Sequence, residues 1–182
     1  MSLFGDLIIM NSLLVPVTIS TDSPFSLGDR LAAHQEGAPV ETNPWPSANL
    51  AIFVPFILPT SATVVKLFCR NGTTLSGNID MGIYDEAGAR KVSIGSTAQA
   101  GAAVLQVFDI ADTTLIGGRY YLTASMDNAT GEVFQWFVIA SYLRAWGCAQ
   151  MAAAFPLPAT ATLATMTQTY LPFLGLSLRT LV

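Results

Sequence analysis

From Ala145 to Leu178 the chain carries no Asp, Glu, Lys, Arg or His, and this gap in the charge pattern restricts its fold more than any other feature. Folded surfaces are normally covered with ionised side chains, and large exposed apolar patches mark contact sites. Something other than solvent is therefore expected to cover this surface. The reading that follows is a β-rich subunit built into a larger assembly.

A membrane is the first cover to consider. Charged residues make up 11% of the chain, against about 25% in an ordinary soluble domain; hydrophobic residues reach 52% and mean hydropathy is +0.50. A spanning helix needs roughly 18 consecutive, largely apolar residues, and each candidate run is broken. Leu7 to Val17 is interrupted by Asn11 and Ser12, Leu50 to Leu58 contains Pro55, and the stretch after Trp146 is punctuated by Pro156, Pro158, Thr160, Thr162 and Pro172. Asp6, with no Lys or Arg before the apolar run, argues against a secretory signal. The composition then reads as that of an obligate oligomer with no membrane partner. At 182 residues one main domain is expected, divided into an extended arm over residues 1–47 and a sandwich over 48–182.

Nucleic-acid binding needs a basic footprint that neutralises phosphates. The net charge here is −4 and the only basic pair is Arg90 and Lys91, so no nucleic-acid partner is expected. Cys69 and Cys148 are too few for a disulfide framework and lack a zinc spacing; they read as two buried free thiols.

Residues Thr18 to Ser47 hold Gly28, Gly37, Pro39, Pro44 and Pro46 and read as an arm or long loop, preceded by Leu3 to Leu14, a short helix or strand. From Asn49 the pattern is β. Ala51 to Leu58 predicts a strand that Pro55 assigns to an edge or a bulge. Ala62 to Arg70 follows, and Asn71-Gly72 predicts a tight hairpin into Asn78 to Tyr84. There Ile79, Met81 and Ile83 point to the core while Asn78, Asp80 and Tyr84 face out. Arg90 to Ile94, Val104 to Asp109, Arg119 to Asp127 and Glu132 to Tyr142 complete a series separated by turns. Met151 to Phe155 predicts a helical turn, and Leu163 to Leu178 leads into a last strand. Six or seven strands at such intervals suggest an all-β antiparallel sandwich.

Chemistry is harder to find. His34 is the only histidine and no nucleophile-elbow context accompanies it, so it reads as a solvated loop residue. Asp80, Asp85 and Glu86, and Asp109 with Asp112, are acidic groups of the type that hydrolyses glycosides or holds calcium. Their spacing matches no calcium loop, and turn residues capping strand ends are the simpler reading. Asn71-Gly72-Thr73 and Asn128-Ala129-Thr130 match the glycosylation pattern. Tyr84 and Trp136 are the aromatic residues to test as glycan contacts. No cofactor and no catalytic or metal residue is assigned.

Several phrases resemble a group of small virion structural proteins of tailed bacteriophages: Trp45-Pro46-Ser47-Ala48-Asn49, Gly77-Asn78-Ile79-Asp80-Met81-Gly82-Ile83-Tyr84-Asp85, Gly95-Ser96-Thr97-Ala98-Gln99-Ala100-Gly101 and Gly118-Arg119-Tyr120-Tyr121. The resemblance spans Trp45 to Arg179 and implies a jelly-roll-like sandwich on the virion exterior, as capsid decoration, cement or a tail-associated subunit. It also implies a homo-oligomer, commonly a trimer, whose further partners are virion proteins such as the major capsid protein. The expectation is a non-enzymatic structural protein, with a host-glycan-binding tail module as the alternative and a glycoside hydrolase using Asp80 or Asp85 as a third reading. Leu7, Ile8, Leu13 and Leu14 in the arm, with Leu163, Met166 and Tyr170 in the uncharged segment, are the expected assembly contacts.

Overall fold

In a computed structural model the chain is described over residues 6–10, 13–17, 25–26 and 40–180. The strands are β1 (Asp6–Met10), β2 (Leu13–Val17), β3 (Phe25–Ser26), β4 (Val40–Pro44), β5 (Ala51–Leu58), β6 (Ala62–Arg70), β7 (Asn78–Asp85), β8 (Arg90–Ser93), β9 (Thr97–Ala98), β10 (Leu105–Leu115), β11 (Gly118–Met126) and β12 (Glu132–Phe137). A short helix α1 (Ala140–Ala145) then precedes β13 (Ala149–Met151), β14 (Ala164–Thr165), β15 (Tyr170–Pro172) and β16 (Leu174–Thr180). All pairings between these strands are antiparallel.

Sheet I has the order β10-β6-β16-β3, and sheet II the order β14-β13-β5-β11-β7-β8 with β9 on β7. A third sheet, β15-β12-β4, lies beside them, and among the described strands β1 pairs only with β2. The main core is made of alternate residues from the facing sheets. Leu67, Cys69, Phe108, Leu174 and Leu176 come from sheet I; Ile52, Val54, Ile79, Met81, Ile83 and Leu122 from sheet II; Val133, Trp136 and Leu171 from the third. The chain is thus an all-β antiparallel sandwich. Trp45 and β4, from the segment read as an arm, belong to its body.

Two local expectations change, and the edge reading of Pro55 holds locally. Asn71-Gly72 is no hairpin turn: β6 pairs β10 and β16 in sheet I, whereas β7 pairs β11, β8 and β9 in sheet II. The pair carries the chain from one sheet to the other. Gly72 is needed for close approach, since a Cβ there would lie 2.4 Å from Cβ of Glu132. Pro55 sits in a strand that is interior only at its start. β13 pairs β5 at Ala51, Ile52 and Phe53, and the missing N–H of Pro55 falls beyond that contact.

The helix also forms elsewhere. Ala140, Leu143, Arg144 and Ala145 are good helix formers, and buried Leu143 anchors the turn in the core. β12 therefore stops at Phe137. Ala149 to Met151 is instead drawn into pairing with β5, and Pro156 restricts the chain behind Phe155 to extended conformations. No helix among the described residues is long and apolar enough to cross a membrane.

Candidate interaction surface

The uncharged segment is largely spent inside the molecule. After β13 it runs as a strap across the outer face of sheet II and closes a second core of Ala51, Phe53, Tyr84, Tyr121, Ala149, Ala154, Leu157 and Ala161. Polar anchors hold the strap from beneath. The Leu157 N–H donates to Asp80 Oδ2 (2.9 Å), the Tyr84 hydroxyl to the Pro158 carbonyl (2.6 Å), and Arg90 to the Leu157 carbonyl. The Ser93 hydroxyl donates to the other oxygen of Asp80 (2.7 Å). Backbone bonds from Arg90 to Ala159 and from Ala161 to Gly88 complete the seam.

This strap corrects two expectations. Tyr84 and Asp80 do project from the outer side of β7, but both are fully buried, because the face they project from is covered by the strap and not by water. Tyr84 is also edge-on to Phe53, with ring centroids 5.3 Å apart, and burial pushes its hydroxyl up to about 12. Trp136 is 5% exposed and stacks on Phe173. Neither ring face is open to a saccharide. Among the expected assembly contacts, Met166 and Tyr170 are buried in the main core, and the Tyr170 hydroxyl donates to the carbonyls of Val133 and Asn43. Burial raises its pKa above the usual phenol range. Leu163 is half-buried against the second core. Leu7 and Ile8 lie in β1, and Leu13 and Leu14 in β2; His34 lies outside the described residues.

The remaining candidates hold the fold together. Asp85 pairs with Lys91 (2.7 Å) and accepts the Ala89 N–H, so its carboxyl is held below the ordinary range, first by Lys91. Glu132 accepts the N–H groups of Thr74 and Thr73 and the Thr73 hydroxyl, which lowers its pKa in the same way, the Thr74 N–H most. Asn71 is fully buried and donates to Ala100 and Gln106, so its glycosylation match is closed in the folded chain. Cys69 and Cys148 are free and buried, their thiols pushed up to about 12 by burial. An open groove of about 470 Å³ beside the β10–β11 turn includes Asp85, Glu86, Lys91 and Arg119, whose charges pair with one another. No three His, Cys, Asp or Glu side chains converge as metal ligands among the described residues.

What stays open lies elsewhere. Of the described residues, the large apolar side chains left exposed are Leu75, Val104, Leu105, Val107, Ile116, Phe137, Ile139 and Tyr142, and none belongs to the uncharged segment. Val104, Leu105 and Val107 lead into and line the start of β10, an edge strand of sheet I. Phe137, Ile139 and Tyr142 follow one another from the end of β12 into α1. Sequence reasoning missed both patches because their apolar neighbours, such as Phe108, Trp136 and Leu143, are buried, and the local pattern does not say which of the apolar residues stay open. The period-two pattern of β10 was the available signal, since it sets Leu105 and Val107 opposite Gln106 and Phe108.

No protein-family model matches the sequence, and no curated protein matches it either.

Proposed function

We propose that the chain is a non-enzymatic structural subunit of a bacteriophage particle, one that self-associates and attaches to the exterior as capsid decoration or cement. The observation that carries the reading is the exposed aliphatic stripe Val104, Leu105 and Val107 at a sheet edge with no partner strand among the described residues, whereas Asp80, Glu132 and Asn71 are engaged in holding the strap and turns. Long apolar edges are contact sites in waiting. The phrases that resemble phage virion proteins fall on β7, on the turn from β8 to β9, and on the start of β11, the positions that build this sandwich. Function would then come from buried interface area, and obligate interfaces are large and apolar; closed cyclic symmetry would complete the oligomer.

Light scattering across a dilution series tests the reading. A trimer or other closed oligomer that persists on dilution, and that Val107→Asp dissociates, is the expected result. A monomer at every concentration, with no occupancy on a particle, would overturn it. Leu163→Asp is the poorer variant, because Leu163 packs on the second core and its replacement reports on folding.

A further inference from the structure

Resting on that reading of self-assembly, we propose that the β1–β2 hairpin of one copy adds to the free edge of β10 on a second copy, so that subunits are joined by exchanged strands. β1 and β2 pair from Asp6↔Val17 to Met10↔Leu13 and with no other described strand. A two-stranded hairpin alone is marginal in water. Its strands read Asp-Leu-Ile-Ile-Met and Leu-Leu-Val-Pro-Val, with Asp6 the only charge. Two strands of such apolar sequence, with no other partner among the described strands, favour the addition of a further strand.

β10 offers what the hairpin lacks. Among the described strands it pairs only with β6, so its other edge has no partner strand there. Val104, Leu105 and Val107 are 52%, 41% and 48% exposed. Carboxylates that would repel an apolar strand are neutralised: Asp109 pairs with Lys66 and Asp112 with Arg179, each at 2.8 Å. β1 is the strand that pairs, because Pro16 removes an N–H from β2. Main-chain bonds would supply affinity and the aliphatic stripe the register, as in strand addition generally. The Phe137, Ile139 and Tyr142 patch follows β12, which is the central strand of its sheet and has no free edge to extend.

Cysteine cross-linking separates exchange from other modes of assembly. The native thiols are buried, which leaves engineered surface cysteines to react. Full-length chains carrying Ile8→Cys or Ile9→Cys, at successive positions of β1, are mixed with differently tagged chains carrying Val107→Cys and oxidised gently. A cross-link between the two chains at least tenfold above that obtained with Ala159→Cys, an exposed control, is expected. Cross-linking confined to one chain bearing both substitutions, or none above the control, overturns the proposal. Light scattering on the same chains before oxidation tells the two failures apart: an oligomer without the cross-link leaves self-assembly standing and removes the exchange, whereas a monomer removes both.

Discussion

The outer faces of the two main sheets have opposite fates, and their sequences would suggest the reverse assignment. The outer face of sheet II is covered by the strap from the charge-free segment, and Phe53, Tyr84 and Leu157 beneath and within it are 2% exposed or less. The β10 end of sheet I carries Asp109 and Asp112 among its residues, yet it leaves Leu105 and Val107 open. Lack of charge therefore marks a segment that has found cover, and here the cover is its own sheet. An exposed apolar site can sit among charges that are already paired.

Breaking the strap should have the largest effect. Leu157→Asp would bury an unpaired carboxylate beside Asp80 and is expected to cost about 4 kcal/mol or more in urea unfolding. Val107→Asp on the open edge should leave monomer stability within about 0.5 kcal/mol of the parent. Equal losses in the two variants would erase the contrast between the faces.

Alkaline pH should weaken the fold next, through buried groups of both cores. Cys69, Cys148 and Tyr84 are raised to about 12 in the folded chain, so the unfolded chain releases their protons at lower pH and binds fewer above that point. Stability conferred by the neutral forms is complete below the free-thiol range, near pH 8.5, and falls as pH climbs toward 12. Each thiol contributes a slope of about 1.4 kcal/mol per pH unit within that window. Asp85 and Glu132 act in the opposite sense: their lowered carboxyls stabilise the fold above the ordinary carboxylate range, and that contribution is lost as pH falls through their folded values. Thermal melts from pH 3 to pH 11 check both limbs.

Two glycine variants sharpen the strap's contribution. Gly88 has φ +83° and a Cβ there would sit 2.4 Å from the Ala161 carbonyl oxygen of the strap, whereas Gly95 has φ +72° with nothing near. Gly88→Ala is expected to cost about 2 kcal/mol or more, and Gly95→Ala about 1 kcal/mol from the left-handed backbone alone. Chemical denaturation of the pair isolates the contact with the strap. Tyr84→Phe, which removes one hydrogen bond to the strap, should cost about 1 kcal/mol. Lys66→Ala, at the exposed ion pair with Asp109 on the open edge, should change stability by less than about 0.5 kcal/mol.

Much of the architecture was legible residue by residue. The alternation of Ile79, Met81 and Ile83 identified the core side of β7, the spacing of turns identified a sandwich, and the two isolated cysteines identified buried thiols. These follow from chain-local rules, the two-residue period of a strand and the dihedral demands of turns, which each segment carries with it. Partner choice is different. That β6 and β7 part into separate sheets at Asn71-Gly72 depends on which distant strands compete for each edge, and no local rule encodes that competition. The fate of Tyr84 depends on tertiary structure in the same way. Strand periodicity assigned it to the side away from the core, but only the return of a segment more than seventy residues later, bonded at Pro158, decided that this side is dry. Local alternation sets which residues share a face; which faces meet water follows from long-range packing, because burial is a property of two surfaces brought together and not of one strand.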